Sequence, residues 1–389
     1  MALLFKLNSI LNKLFILGLL LLLLSVPFSW AEEGVTEKEI LLGMSCAQSG
    51  PLSEVGMNMK QGATVYFNKV NLAGGVQGRK ITLLAYDDGY DPAKAIANTR
   101  KFIDQEKVFA LFGYLGSPIS AAVLPIFQKA GLPYFAPITG AEFLRNPVNK
   151  YIFNLRVSLV DETEVMVERL TKDLQIRKIG VFAQDDALGE AGRAGVIRAL
   201  RKRNMTLAGD GKVERNTVNI DEALDTLMKA NPEAVIMVAT HMPASAFLKK
   251  ARSRGFTPKF LGFAFGPNAL IHEAGKAADG FIMTQTVPNP SDSSLPIVKE
   301  YLSDTKAAGF TPDLMGLEMY VAAKVMVEAL KRTTPLTRER LIFTMENLKM
   351  DAGGLEVSFS PTDHQALSQV FLTKIQDGRL ITIQSLKDS

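Results

Sequence analysis

The stretch 106–140, EKVFALFGYLGSPISAAVLPIFQKAGLPYFAPITG, decides the fold. Val108 to Phe112 is an apolar run of strand length, and Gly113 to Ser117 breaks it with two glycines and a hydroxyl. A helix is predicted next, with Ser117 as N-cap and Pro118 at the first helical position, where a missing N–H is harmless. Ala121, Val123, Leu124, Phe127 and Ala130 give that helix an apolar face, and Gly131 ends it. Pro133 restarts the chain, Tyr134 to Ala136 reads as a second strand, and Pro137-Ile138-Thr139-Gly140 forms a loop at its carboxyl end. Strand, helix and strand make one unit of a parallel sheet. Ligands of open parallel sheets sit beyond the carboxyl ends of the strands, and helix N-termini there present free N–H groups to anions. Ser117 and Thr139 are therefore candidates for holding a small carboxylate, with Tyr114 on the same loop.

The unit recurs at 233–266, EAVIMVATHMPASAFLKKARSRGFTPKFLGFAFG. Pro243 stands where Pro118 stands, Gly255 for Gly131, Pro258 for Pro133 and Phe260 for Phe135. Two α/β lobes of like architecture are expected, and 389 residues exceed what a single core usually organises.

The first 31 residues read as a signal peptide. Lys6 and Lys13 form a basic start, Leu14 to Leu24 an apolar run too short to favour a membrane span of about 20 residues, and Ser29-Trp30-Ala31 a small-x-small cleavage site. The exported protein is expected to begin near Glu32, in the periplasm. No cysteine follows the site, so no lipid anchor is expected there. The chain has 44 basic and 40 acidic residues, and loss of the leader's two lysines brings it nearer neutrality. Arg198, Arg201, Lys202 and Arg203 fall on solvated helix faces without interleaved aromatics, which argues against a nucleic-acid partner. Cys46 is the only cysteine, so no internal disulfide forms; it reads as a buried thiol at the end of the strand Ile40 to Met44.

Elsewhere strand, loop and helix alternate. A helix is expected from Met57 to Asn71, a strand from Ile81 to Tyr86, and a helix start at Asp91-Pro92. Asp87, Asp88 and Asp91 lack the glycine and terminal glutamate of a calcium loop, and a strand end followed by a helix cap accounts for them, so no metal is assigned. Asp161 begins a helical pattern and Lys178 to Ala183 is the first strand of the second lobe. Gly189, Gly192 and Gly195 lie along a helix, where they permit close packing rather than forming a dinucleotide fingerprint. No G-x-S-x-G, H-E-x-x-H, Walker loop or C-x-x-C occurs, and the three histidines have no triad partners in view, so no enzymatic activity and no cofactor is expected. A long helix from Met315 to Leu330, a Gly-rich hairpin or extended loop within 350–361 and strands at Val370 to Ile375 and Leu380 to Leu386 close the chain.

In combination, LLGMSCAQSGP (41–51), FNKVNLAGGVQGRK (67–80), YDDGYDPAKA (86–95), FGYLGSP (112–118), KAGLPYFAPITGAEFLR (129–145), FNLRVS (153–158) and KIGVFAQDDALGEAG (178–192) resemble the periplasmic leucine/isoleucine/valine-binding protein family, the soluble receptors of branched-chain amino-acid-type ABC transporters. The resemblance covers essentially all of the chain after the leader. It implies two doubly wound parallel-sheet lobes, 32–159 plus 286–366 and 160–285 plus 367–389, joined by three hinge crossings near Val160, Gln285 and Ala366. It also implies a monomer that delivers its ligand to a membrane permease. In amino-acid-binding members a serine matching Ser117, next to Gly116, and the loop matching Ile138, Thr139, Gly140 and Ala141 hold the ligand carboxylate.

Three departures from the family pattern bear on specificity. The acid that pairs with the ligand ammonium falls near Ala264 or Phe265 and is absent; two ligand-facing aromatic positions match Leu188 and Thr240; and the cysteine pair of some members matches Tyr90 and Gly116. Contacts are expected from Tyr114, Ser117 and Thr139 on one lobe and from Asp186 and Phe265 on the other. If Asp186 faces the cleft it replaces the missing acid and amino acids bind; if it only caps the following helix, Phe263 and Phe265 suit a carboxylate with an uncharged, aromatic body. The other reading of the same fold is a ligand-sensing module for amides or amino acids.

Overall fold

The computed structural model describes residues 32–388; the leader and the cleavage site expected near Ala31 lie outside the described residues. Five parallel strands form the first sheet: β1 (Glu39–Cys46), β2 (Lys80–Asp87), β3 (Ala110–Phe112), β4 (Tyr134–Phe135) and β5 (Ile152–Phe153), in the order β2-β1-β3-β4-β5. Helices α1 (Ser53–Leu72), α2 (Pro92–Asp104) and α3 (Ser117–Lys129) connect them. All of β3, β4 and β5 is buried, as expected of strands covered on both faces, and Phe112 stacks on Phe135 at 5.9 Å. Asp91 caps α2 by accepting from Ala93 N at 2.7 Å, with Pro92 behind it. Asp87 accepts from Gln48 N (2.7 Å) and Gly89 N (2.9 Å), and Asp88 from the Ser45 hydroxyl (2.6 Å), so all three aspartates hold the chain itself.

The second sheet begins with β6 (Ile179–Gln184), β7 (Gly209–Val213), β8 (Ala234–Val238), β9 (Lys259–Phe263) and β10 (Ile282–Gln285), again parallel. Around them lie α4 (Leu159–Asp173), α5 (Ala187–Arg201), α6 (Asp221–Ala230), α7 (His241–Ser253) and α8 (Pro267–Ala274). The helix expected from Asp161 starts at Leu159 because Ser158 takes the cap position and Asp161 closes a capping box with it, Asp161 N donating to Ser158 Oγ at 3.0 Å. The glycine run on α5 is explained by contact: a β-carbon at Gly192 would stand 2.4 Å from Val238 Cγ1, and one at Gly195 2.5 Å from Thr163 Oγ1.

The chain then returns to the first sheet with α9 (Pro296–Ala307), α10 (Leu314–Arg332) and α11 (Arg338–Glu346), forms the hairpin β11 (Lys349–Asp351) and β12 (Glu356–Ser358), and rejoins the second sheet with β13 (Phe371–Gln376) and β14 (Arg379–Ile383). The completed order is β14-β13-β10-β9-β8-β6-β7, with β13 and β14 antiparallel to their neighbours. Helix α10 lies along α1 backbone to backbone, since a β-carbon at Gly62 would fall 2.0 Å from Gly316 O, and Tyr66 meets Tyr320 edge-on at 4.9 Å. This is the two-lobed architecture expected, with three passages of chain between the lobes. Two of them run side by side, with Asn154 N on His364 O and Ala366 N on Asn154 O, both at 2.8 Å.

Candidate ligand site

The ladder between β3 and β4 continues beyond the strands. Ile138 N donates to Tyr114 O at 2.7 Å and Gly116 N to Ile138 O at 3.1 Å, which sets the two carboxyl-end loops in register. Ser117 Oγ and Thr139 Oγ1 thereby come to 2.6 Å, both side chains fully buried. Thr139 Oγ1 also accepts from Ala141 N at 3.1 Å. The two hydroxyls hold two protons and one lies between them, so the pair has a second proton to give an anion. The first N–H groups of α3 have no intrahelical acceptor and add a positive dipole end.

Ser117 does not cap α3. Gly116 occupies the N-cap position at φ 95°, a conformation open to glycine, and Ser117 is the first helical residue with Pro118 second. The hydroxyl expected to be spent on a cap is therefore directed to Thr139. Gly140 is held against the chain leaving this lobe: its carbonyl accepts from Leu159 N at 2.7 Å, and a β-carbon there would fall 2.5 Å from that nitrogen. Arg145 secures the loop from behind, donating to Ala141 O (3.0 Å), Thr139 O (3.3 Å) and Arg156 O (2.8 Å).

Other residues expected at the site have different partners. The Tyr114 side chain turns into the core, its ring edge-on to Tyr134 at 5.2 Å and its hydroxyl 3.0 Å from Thr99 Oγ1. Asp186 caps α5, Oδ1 accepting from Leu188 N (2.9 Å) and Gly189 N (3.3 Å), while Oδ2 accepts from Gln184 Nε2 at 2.5 Å. Thr240 donates to Gln184 Oε1 at 3.1 Å, so its hydroxyl joins the same network. Phe265 lies over the Arg156 guanidinium, 4.9 Å from ring centroid to Cζ.

Sequence reasoning missed three side chains here. Tyr90, at φ 62°, lays its ring on Gly116, where a β-carbon would come 2.5 Å from Cε2. Its hydroxyl faces Gln184 and Asp186 of the other lobe, and burial, with Asp186 adding, raises its pKa well above a phenol's usual value. Arg156, buried, forms a fork with Glu318 on α10, Nε to Oε1 and Nη2 to Oε2, each 3.0 Å. Glu162 in the first turn of α4 is fully buried, and burial pushes its carboxyl up to about 7 against the pull of Arg156. The only signal for Arg156 was its place in FNLRVS; for Glu162 a charged residue at a core-facing helical position was the visible cue.

Comparison with known proteins agrees with this architecture. The family model described as periplasmic binding protein matches residues 39–379. The Leu/Ile/Val-binding protein homolog 7 of Brucella melitensis is 26% identical over 384 residues, covering 93% of this chain and 96% of its own. A possible leucine/isoleucine/valine-binding protein from Rhodopirellula baltica superimposes with a TM-score of 0.85 at 31% identity, over 90% of this chain and 97% of that one. A substrate-binding periplasmic protein from Ralstonia solanacearum gives a TM-score of 0.83 at 29% identity, over 88% and 100%. With both lobes, three passages between them and matching relatives across nearly its whole length, the chain belongs to the periplasmic binding protein family, as a leucine/isoleucine/valine-binding-type solute-binding protein of the branched-chain amino-acid ABC transporter kind.

Proposed function

We propose that the protein is an exported monomeric receptor that takes a small carboxylate-bearing ligand between its lobes and hands it to a membrane ABC permease. The lobes of this reading are 32–159 plus 286–366 and 160–285 plus 367–389, closing about crossings near Val160, Gln285 and Ala366. The observation that carries it is the Ser117–Thr139 pair: two buried hydroxyls 2.6 Å apart, at the carboxyl ends of β3 and β4 and at the N-terminus of α3. A fully buried pair with a spare hydroxyl proton beside the first N–H groups of a helix suits an anion far better than an apolar group. Gly116, Ile138, Gly140 and Ala141 supply the backbone around the carboxylate, and Thr240 and Phe265 face it from the second lobe.

The test is calorimetric titration, with thermal-shift screening of amino acids and organic acids to find the tightest probe. A hydrogen bond to a charged acceptor is worth about 1.5 to 3 kcal/mol, so Ser117→Ala is expected to weaken that probe about 10-fold to 150-fold. Unchanged affinity in a folded variant places the ligand elsewhere.

A further inference from the structure

The three passages between the sheets are held very differently. The first is bonded along its length. Asn154 O and Leu155 O accept from Ala366 N (2.8 Å) and Leu367 N (3.2 Å) of the third passage, Arg156 O accepts from Arg145 Nη2 at 2.8 Å, and Leu159 N, which opens α4, donates to Gly140 O at 2.7 Å. The start of α4 is therefore fixed to the loop that carries Thr139. The second passage is fixed at both ends and free between them. Asn289, buried between Pro288 and Pro290, donates from Nδ2 to Leu380 O of β14 at 2.9 Å; at the other end Ile297 N donates to Gly353 O at 2.9 Å, and a β-carbon at Gly354 would stand 2.9 Å from Leu295 Cδ2. Asp292 to Ser294 bond only to near neighbours, Asp292 N to Asn289 O (2.9 Å) and Ser294 N to Asp292 Oδ1 (3.1 Å). On the third passage Ser368 to Val370 lie outside any helix or strand, between Leu367 and the start of β13. The spans free to bend are thus 292–294 and 368–370, beyond the points near Gln285 and Ala366, and the start of α4 is the fixed point.

Both free spans border one cavity of about 640 Å³. Its floor is the outer face of α4, with Asp161, Val165 and Glu168, opposite the face that buries Glu162, Thr163 and Met166. Phe371 and Ile383 of β13 and β14 form one wall, and Leu295 with Gly354, on the side of the first sheet, form the other. Asn289 borders this cavity and also a second one, of about 450 Å³, which contains Asn268 and Asp313. The Asn268–Asp313 bond and the large cavity therefore meet at the same anchored residue of the second passage.

We propose that the large cavity is the clearance of the hinge and that its occupancy sets the ligand affinity of the distant cleft, an inference that rests on the two-lobed receptor proposed above. Here the lobes are together, with Asn268 bonded to Asp313, and the cavity is open. Rotation about the start of α4 that draws Asn268 away from Asp313 brings Leu295 and Gly354 towards Val165 and Ile383 and closes it. Opening of the cleft thus requires the cavity to be empty. Bulk placed there favours the closed lobes and raises affinity by raising the fraction of protein already closed, without touching Ser117 or Thr139.

The test reads the lobes without ligand. Spin labels on Lys129→Cys of α3 and Arg201→Cys of α5, both exposed, report the separation of the lobes, and the fully buried Cys46 takes no label. Val165→Trp and Ser368→Trp fill the cavity from two walls, and Lys172→Trp, exposed on α4 outside the cavity, is the control. Electron paramagnetic resonance is expected to show both fillers raising the population at the separation found in this structure about 5-fold or more relative to the longer one, with Lys172→Trp unchanged. Should Val165→Trp fail to fold, Ser368→Trp, at an exposed position, still decides. A ratio of populations that the fillers leave unchanged, or a shift to the longer separation, overturns the role of the cavity and leaves the receptor reading intact. A single separation in the labelled parent, with and without saturating acids from the screen, denies lobe motion and so overturns both.

Discussion

Asn268 Nδ2 donates to Asp313 Oδ2 at 2.9 Å, joining α8 beside the seven-stranded sheet to the helix α10 that packs along α1 on the other lobe. Asp313 divides its two oxygens between tasks, because Oδ1 accepts from Met315 N (2.7 Å) and Gly316 N (3.3 Å) and so caps α10. The cap belongs to α10 alone, whereas in the receptor proposed above the Asn268 bond is one that opening of the lobes would break. Asn268→Ala is therefore expected to leave the melting temperature nearly unchanged and to speed ligand release. One such bond is worth about 1 to 2 kcal/mol, or about 5- to 30-fold in off-rate by stopped flow. An unaltered off-rate shows that the bond does not hold the closed state.

Gly116 carries two constraints at once: φ of 95° and a Tyr90 ring where a β-carbon would come 2.5 Å from Cε2. Gly116→Ala is expected to cost about 1 to 3 kcal/mol in denaturant unfolding. Adding Tyr90→Ala removes the contact and leaves the backbone strain, so the double variant should recover only part of the loss. Full recovery assigns the cost to the ring alone.

These residues also show where reading the chain reaches its limit. Pro118, Gly131 and Pro133 punctuate a strand-helix-strand unit because each has few conformations to choose from, and the same local rule gives Asp91 as a cap on α2. A cap beside a glycine is harder: Ser117 is as good an N-cap by composition as Ser158, and only the positive φ of Gly116 decides that Ser117 is freed to meet Thr139. Asp186 presents the converse, since cap and cleft roles share one sequence pattern until both oxygens are located. Tyr90 and Glu162 depend on contacts across 94 and more residues of chain, Tyr90 with Gln184 and Glu162 with Glu318, and no local pattern carries that information.

The Arg156–Glu318 fork is a buried pair with about 1% exposure on each side, so its removal in halves and as a whole should differ. Arg156→Met strands Glu318 and withdraws the attraction on Glu162, and is expected to cost about 3 to 5 kcal/mol. Arg156→Met with Glu318→Leu removes both charges and should recover most of that loss, the remainder reflecting Glu162 and the lost stacking on Phe265. Denaturant midpoints for the two single variants and the double close the cycle. A double variant less stable than either single would mean that the fork itself, rather than the stranded charge, holds the hinge.

Glu162 makes the ligand-free protein's stability depend on pH. Its carboxyl is raised from 4.5 to about 7, chiefly by burial, so the folded state binds this proton more tightly than the unfolded chain does. The stability this contributes is fully present below about pH 4.5 and is lost as pH rises through about 7, where the buried group must ionise. Carboxylates held low by partners act in the opposite sense. Asp87, held by Ser49 and backbone N–H groups against its desolvation, and Glu233, held by Lys178 and Arg177 N–H groups, lose their contribution as the solution is acidified. The wild-type curve mixes both, so the informative quantity is the difference from Glu162→Gln, which carries no titrating group at this place. That variant's stability relative to wild type is expected to rise between pH 5 and pH 8 by an amount on the order of 3 kcal/mol, read from urea midpoints at matched ionic strength without ligand. Parallel curves for the two proteins would show that Glu162 titrates normally and is hydrated in the folded state.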